Sequence, residues 1–442
     1  MFTKIRVKNF KSFSDITFDI SSNKMAKKLV VLYGKNGSGK SNIMSAFVFL
    51  KELMTTMDVR DKYEAFLAHE AEIQKFSDEK FAAMLRQNFI DGLRNIKKII
   101  DDYKMIDSNE NVYAEYDFEI DNKLGKYIIE LDDNGIVEEK LEFVLNKRRG
   151  TYFKCSKDGF ILNNSIIFDN NLISSIKENV HKYWGKHSVL AILIHEIDDK
   201  SEKFAENNIS DNLNMLLQRF LLISGSLSVG QRRWLNLCSR YPIACQPISG
   251  KISIENEKEL DKFTDVFTKI FYYTNPKISK IYYRKIYLNN EIEYELFERK
   301  MISGKYIDLS FERESTGNHK LLEFFCNFIN ATIGQVVILD EADAGIHELQ
   351  FQNLLKELRT YISGQLIMTS HNTLLMELDN SKNFIYILDD ASDQIKIRSI
   401  NDYEKRTFKN NNIRNKYLNN QYGGIPTNVN IDFELLFKEL NE

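Results

Sequence analysis

Hydrophobic and polar positions follow two rhythms along this chain. At the start the period is two: Ile5 and Val7 alternate with basic residues, and Ile16, Phe18 and Ile20 with polar ones, which predicts strands. The run Leu29-Val30-Val31-Leu32-Tyr33 has no polar interruption and predicts a strand covered on both faces. Asn42-Ile43-Met44-Ser45-Ala46-Phe47 then takes up helical spacing, and from about 42 to 105 the chain is rich in Met, Lys and Glu with almost no breakers. Strands are predicted again at 112–120 and 127–131, ending in the turn residues Asp132-Asp133-Asn134-Gly135. From about 170 to 270 the pattern reads as mostly helical, without the sustained heptads of a coiled coil. A hairpin is predicted over 281–296, turning at Asn289-Asn290, and strands alternate with helices from there to about 400.

Between the apolar run and the first helix stands Gly34-Lys35-Asn36-Gly37-Ser38-Gly39-Lys40-Ser41. Strand, glycine-rich loop and helix, with the spacing G-x-x-x-x-G-K-S, make a phosphate-binding loop. Its glycines let successive N–H groups turn inward around a phosphate chain, and the helix N-terminus adds a positive dipole end. Asn36, Gly37, Ser38, Gly39, Lys40 and Ser41 are therefore candidate nucleotide-binding residues. Lys40 suits the β/γ-phosphates, and the Ser41 hydroxyl suits Mg²⁺, which prefers oxygen ligands.

Val336-Val337-Ile338-Leu339-Asp340-Glu341 is a buried-strand pattern ending in two carboxylates. Asp340 is the candidate Mg²⁺ anchor. Glu341 points elsewhere, because strand side chains alternate, and is the candidate general base for an attacking water. Gln365-Leu366-Ile367-Met368-Thr369-Ser370-His371 is a second buried strand, ending in a histidine that could bond the γ-phosphate or the lytic water. Glu314-Ser315-Thr316-Gly317 opens a helical pattern leading into the Asp-Glu strand, so Ser315 and Gly317 form a candidate anion site of free N–H groups, a hydroxyl and the dipole. Leu227-Ser228-Val229-Gly230-Gln231 is closer in spelling to the LSGGQ signature of transporter ATPases, but lies too far upstream to feed directly into that strand. Ser315 and Gly317 are preferred.

Bulk properties narrow the setting. The 442 residues carry a formal net charge of −3, so no global field draws the chain to nucleic acid or anionic lipid. Cys155, Cys238, Cys245 and Cys326 have no paired metal-site spacing, no signal peptide is recognisable, and no apolar run approaches the roughly 20 residues of a membrane span. A cytoplasmic location is expected, with no membrane. Lys269, Lys277, Lys280, Arg284 and Lys285, interleaved with tyrosines, could stack on nucleic acid but are also ordinary sheet material. His181, His187 and His195 match no facing pair on one helix, and Asp389-Asp390-Ala391-Ser392-Asp393 reads as a hairpin turn.

In this order, the phosphate loop, the Ser315 helix, VVILDEADAGIH and TSHN resemble the ABC-type ATPase heads shared by transporters, SMC proteins and RecF-like repair proteins. The opening IRVKNFKSFSDITFDI is similar to the soluble branch. The tail RNKYLNNQYGGIPTN resembles the Tyr-Gly-x-Ile-Pro ending of single-chain ATPases in phage-defence and abortive-infection modules of the PARIS and Septu types.

The resemblance implies an α/β fold: an ABC-type P-loop ATPase head, a mixed sheet plus an antiparallel β subdomain, with helical insertions. It divides the chain into 1–60 (phosphate-loop part of the head), 61–110 (helical insertion), 111–165 (β-strands of the head), 166–270 (helical, partner-binding) and 271–442 (signature, Asp-Glu strand, switch histidine and tail). It implies ATP and Mg²⁺ as cofactors, slow regulatory hydrolysis, and a homodimer or higher homo-oligomer. In that dimer Ser315 and Gly317 of one copy would close on nucleotide held by the other. A separate effector, such as a Toprim or HNH nuclease, is the expected partner, because the 71 residues after His371 hold no second acidic strand cluster and no His-Asn-His pattern. DNA or a phage component is the expected trigger. The competing expectations are a RecF-like DNA-binding repair protein and, less well matched, a transporter motor. Two departures stand out: no Gln is located at the strand-to-helix junction where this class places one, and Ala344-Gly345-Ile346-His347 replaces the Ser-Ala-Leu-Asp of transporters.

Overall fold

In the computed structural model the described residues are 1–61, 64, 94–229, 232–237, 241–390, 395–403, 412–426 and 437. Among them, seven strands form a central sheet in the order Arg232–Leu237, Ile223–Val229, Val336–Leu339, Gln365–Thr369, Leu29–Tyr33, Ile385–Asp389 and Lys396–Ser399. The inner five run parallel, and each edge strand joins antiparallel. Alternation sends Val30, Leu32, Val336, Ile338 and Ile367 to one hydrophobic core, and Leu29, Val31, Val337, Leu339, Leu366 and Met368 to another. A sheet covered on both faces needs uninterrupted apolar strands, as the sequence supplies.

The first core is closed by the helix Lys40–Met54 and by an antiparallel sheet running Gly159–Leu162, Arg149–Ser156, Ile136–Val144, Lys123–Leu131, Val112–Ile120, Phe2–Phe10 and Phe13–Asp19. Caught between two sheets, the helix has 13 buried residues of its 15. Phe47 packs edge-on against Phe2, Phe49 against Phe10 and Tyr103, and the Tyr116 hydroxyl donates to Ala46 O at 2.6 Å. Each large side chain so buried contributes about 1.5–3 kcal/mol. The Gln365 side chain fastens the layers together, accepting from Phe2 N and donating to Phe2 O and Lys27 O at 2.8–2.9 Å.

The second core is closed by the helices Glu257–Thr274, Thr316–Thr332 and Glu348–Leu358 and by a four-stranded antiparallel sheet. In that sheet Glu291–Ile302 pairs with Ile278–Leu288 on one side, and with Ser249–Ser253 and Lys305–Ser310 on the other. The predicted hairpin is its core, with Asn289 in the left-handed region at the turn. A mixed sheet with an antiparallel subdomain is thus present.

The mostly helical reading of 170–270 holds for most of the span but overlooks three strands. Helices Asn170–Tyr183, Val189–Asp198, Glu202–Asn208 and Asp211–Leu221 are there, each with a capping Asp or Ser, but Ile223–Val229, Arg232–Leu237 and Ser249–Ser253 are strands. Leu and Ile at mixed spacing obscured the change of period. The missed signal is Gly225: a Cβ there would lie 1.9 Å from Ile338 O, so only glycine lets this strand lie beside Val336–Leu339. Of the insertion expected over 61–110, residues 62, 63 and 65–93 lie outside the described residues.

A buried carboxylate ties the antiparallel sheet to the helical layer. Glu139 is fully enclosed and accepts from Val189 N, Leu190 N and the Tyr127 hydroxyl at 2.6–3.2 Å, capping the helix Val189–Asp198. Burial pushes its carboxyl up to about 7, against these three donors. An unfolded glutamate releases its proton near 4.5, so this group's contribution to stability is fullest below that pH and is lost as pH rises toward 7. Glu139→Gln, compared with wild type by urea denaturation from pH 4.5 to 8, should flatten the pH dependence by roughly 3 kcal/mol.

Candidate nucleotide-binding site

The loops of interest all leave the carboxyl edge of the parallel strands, where open α/β sheets bind ligands. Gly34–Ser41 follows the strand Leu29–Tyr33; His371 and Asp390 close its two neighbours, and Asp340-Glu341 the next strand over.

Within the loop, Gly37 and Gly39 have φ of +77° and +103°, and the Phe13 ring lies directly beneath Gly39. Ser12, on the turn before Phe13, accepts from Asn42 at 2.8 Å. Asn36 and Gly37 face solvent, while Ser41 is half-buried in the first turn of the helix. Lys40 is buried and donates to Gly34 O at 2.7 Å and Lys35 O at 3.0 Å. Burial lowers its pKa, partly offset by the carboxylates of Asp340, Glu341 and Asp390. The charges needed around a phosphate–metal pair therefore converge on one cation. Lys35 pairs with Asp390 at 3.0 Å, so this aspartate braces the loop; residues 391–393 of the turn expected over 389–393 lie outside the described residues.

One hydroxyl organises the acidic pair. Thr369 Oγ1 donates to Asp340 Oδ1 at 2.6 Å and accepts from Glu341 N at 2.7 Å. Asp340 is half-buried and Glu341 exposed, with φ of +50°. A non-glycine residue in the left-handed region costs on the order of 1 kcal/mol, and such strain gathers at functional sites. His371 exposes its ring, while its N–H donates to Asp343 Oδ2 at 3.3 Å. The buried Tyr33 hydroxyl donates to Asn372 O at 2.8 Å, linking the root of the phosphate loop to the histidine segment.

Ser315 is the N-cap of the helix Thr316–Thr332 and accepts from Asn318 N at 3.3 Å. Its own N–H donates to Glu314 Oε2 at 2.9 Å. Burial raises the Glu314 carboxyl, but bonds to Glu298, Lys300, Ser315 N and Asn318 outweigh it and bring it down to about 2. Gly317 lies so close to Gly345 that an added Cβ would stand 2.9 Å from Gly345 O. Farther along the helix, Glu323 accepts from Ser226 at 2.5 Å and from Lys320 at 3.0 Å, beside a small cleft shared with Asp340 and Glu341. His347 caps the helix Glu348–Leu358, its Nδ1 accepting from Leu349 N at 3.3 Å.

The structure gathers Lys40, Asp340, Glu341 and His371 on one edge, and sets the exposed Ser315 and half-buried Gly317 at a helix end that packs against the loop after Glu341. It places Leu227-Ser228-Val229 on a core strand, with Gly230 and Gln231 outside the described residues. The strand Ile223–Val229 runs parallel to Val336–Leu339, and Asp340 N donates to Ser226 O. Sequence reasoning passed over Thr369, Ser12, Phe13 and Asp390. Of these, only Thr369 carried a cue, as a hydroxyl at the end of a buried strand. The basic–aromatic hairpin is engaged internally: Lys285 pairs with Glu257 and Asp261, Arg299 with Asp308, and Arg284 covers the Phe297 ring at 3.8 Å.

The donor set fits a triphosphate with Mg²⁺. The Ser38 hydroxyl is buried without a hydrogen-bond partner, the Lys40 ammonium sits at the loop's root, and a hydroxyl and a carboxylate, from Ser41 and Asp340, suit a hard cation. Gly34–Ser41, with Asp340 on a nearby strand end, has the donor set of a phosphate-binding loop site. Residues 29–198 match a family model described as "AAA domain, putative AbiEii toxin, Type IV TA system", a span that includes the phosphate loop and stops short of Asp340. Among solved structures, the chain is similar to the SMC head domain from Thermotoga maritima at 15% identity and TM-score 0.35, covering 90% of this chain and 98% of that one. The Smc head domain with an extended coiled coil bound to the C-terminal domain of ScpA, from Pyrococcus furiosus, is similar at 15% and 0.39, covering 91% and 98%. The Smc head domain with a coiled coil and joint from Pyrococcus yayanosii is similar at 15% and 0.40, covering 90% and 96%. No curated protein matches. No helix among the described residues is long and apolar enough to cross a membrane.

Thr369→Val keeps the side-chain shape but strands Asp340 Oδ1 and Glu341 N. It should cost about 1–3 kcal/mol in urea denaturation, with Thr369→Ser recovering most of the loss. Equal stability of all three proteins would mean that the hydroxyl does not hold the pair.

Proposed function

We propose that this chain binds ATP with Mg²⁺ and hydrolyses it slowly, in a dimer that holds the nucleotide between two copies and governs a separate effector, such as a nuclease, in anti-phage defence. The observation that carries the reading is the convergence of Lys40, Asp340 and Glu341 at one sheet edge, with the acidic pair held by a single hydroxyl.

In this reading the phosphate-loop N–H groups and Lys40 take the β/γ-phosphates, and Ser41 and Asp340 would hold Mg²⁺, which when bound would offset the phosphate charge. Glu341 accepts a proton from the attacking water, and His371 senses the γ-phosphate. Ser315 faces solvent at a helix N-terminus, with the half-buried Gly317 in the first turn, which supports their meeting nucleotide held by a second copy. The contact between Gly317 and Gly345 supports transmission of that meeting to the chain's own Asp-Glu loop. The toxin–antitoxin wording of the family description supports the defence setting, and a cytoplasmic location goes with it.

With purified protein, Lys40→Ala should lose ATP binding by equilibrium dialysis. Glu341→Gln should keep binding but lower turnover by about 10²–10⁴-fold and accumulate dimers in light scattering with ATP. Ser315→Arg should bind ATP yet stay monomeric. Wild-type turnover in Glu341→Gln would end the general-base assignment, and ATP-driven dimers of Ser315→Arg would end the sandwich. Co-purification with products of neighbouring genes tests the effector: the partner should be released or activated when ATP is hydrolysed, and an ATPase cycle that leaves every neighbour untouched would refute the regulatory role.

A further inference from the structure

The tail that suggested a defence module has a place in the fold which the nucleotide-site reading leaves unused. Residues 412–426 comprise the helix Ile413–Leu418 and a turn through Tyr422-Gly423-Gly424, and they reach the site by two routes.

The first route ends on the phosphate loop. Tyr417 is buried with its ring edge-on to Tyr33 at 5.8 Å, one residue before Gly34. Its hydroxyl donates to Gly424 O at 3.3 Å, and the Tyr403 hydroxyl donates to Tyr422 O at 2.9 Å. Gly424, with φ of +74°, is pressed against the loop's root: a Cβ there would stand 2.8 Å from Ile387 Cγ2, 3.1 Å from Leu388 O and 3.4 Å from Gly34 Cα. At Gly423 a Cβ would fall 2.5 Å from the carboxyl carbon of Asp389, next to the Asp390 that pairs with Lys35.

The second route ends beside His371. Arg414 donates through Nε to Thr373 Oγ1 at 3.0 Å and through Nη1 to Glu377 at 2.9 Å, gripping the 3₁₀ turn Thr373–Glu377 that starts two residues after the histidine. Tyr33 already joins the two ends, since its hydroxyl donates to Asn372 O. The tail thus braces both sides of a triangle whose corners are Gly34, Asn372 and itself.

We propose that residues 412–426 are a positioning element of the nucleotide site: Gly424 sets the root of the phosphate loop, and Arg414 sets the segment that carries His371. This rests on the reading of that site as one that binds and hydrolyses ATP. The two routes have separate consequences. A displaced Gly34 alters the carbonyl that Lys40 grips and so alters nucleotide affinity. A loosened 373–377 turn leaves the loop intact and slows the chemical step through His371.

The test uses the full chain, with N-methylanthraniloyl-ATP for affinity and single-turnover ATP hydrolysis for the chemical step. Gly424→Ala should weaken nucleotide binding by about tenfold or more. Arg414→Ala should leave the dissociation constant within about twofold and lower the hydrolysis rate by about tenfold, and the swap Arg414→Glu with Glu377→Arg should restore much of that rate. This split between affinity and rate is what a merely structural tail would not produce. Variants that match wild type in both quantities, or that lose both in parallel with their melting temperature, overturn the proposal. Should Gly424→Ala fail to fold, Arg414→Ala and its swap decide alone. A wild-type chain that binds ATP no better than Lys40→Ala brings down the site reading and the tail's role with it. Normal wild-type binding with unaltered tail variants removes only the tail's role.

Discussion

The helix Lys40–Met54 has no solvent-facing stripe, and much of the architecture follows from that constraint. A helix buried on nearly every side needs cover from two directions, which here are the central sheet and the antiparallel sheet. Its first turn is thereby held rigid, and Gly34–Ser41 inherits a fixed shape from it. Loops that position phosphate gain from such rigidity, because a donor already in place loses no freedom when charge arrives. Glu52 and Arg94 complete the enclosure at the far end with a buried two-bond ion pair at 2.8–2.9 Å. Removing Arg94 would leave the buried Glu52 without its cation, whereas removing Glu52 still leaves Arg94 paired with Asp102.

Coupling between distant parts of the chain runs through few, specific contacts. Gly317 against Gly345 places the first turn of the Ser315 helix on the loop that follows the Asp-Glu pair. Glu323, bonded to both Ser226 and Lys320, ties the same helix to the strand next to Val336–Leu339. A push on the outer end of this helix therefore has a short path to Glu341. Glu298 adds a poised element: it is wholly buried, 3.5 Å from Lys300, and burial with the neighbouring Glu314 carboxylate raises it to about 8.

Much of this could be read from the residues. The apolar strand, the phosphate loop and the Asp-Glu and Ser-His strand ends are local signals, each complete within a dozen positions. Ser315 could be found because a cap and its helix are also local. The strand Ile223–Val229 was missed for the opposite reason: its reason for being a strand lies in Val336–Leu339, more than a hundred residues away. Thr369 was passed over because the hydroxyl acquires its two partners only when adjacent strands align. Asp390 looked like turn material until the fold set it against Lys35.

The strand Leu29–Tyr33 has as its neighbours Gln365–Thr369 and Ile385–Asp389. On a ribosome, then, this core strand waits for more than three hundred further residues before either flank is available. During that interval Leu29-Val30-Val31-Leu32-Tyr33 is a bare apolar edge, and its helix is a greasy rod with one cover missing. Closing so distant a pairing is slow, and exposed segments of this kind are prone to stick to one another. Newly made copies should lean on chaperones until the Gln365–Thr369 strand emerges, and output of soluble protein should depend on synthesis speed more than on the strength of the finished fold.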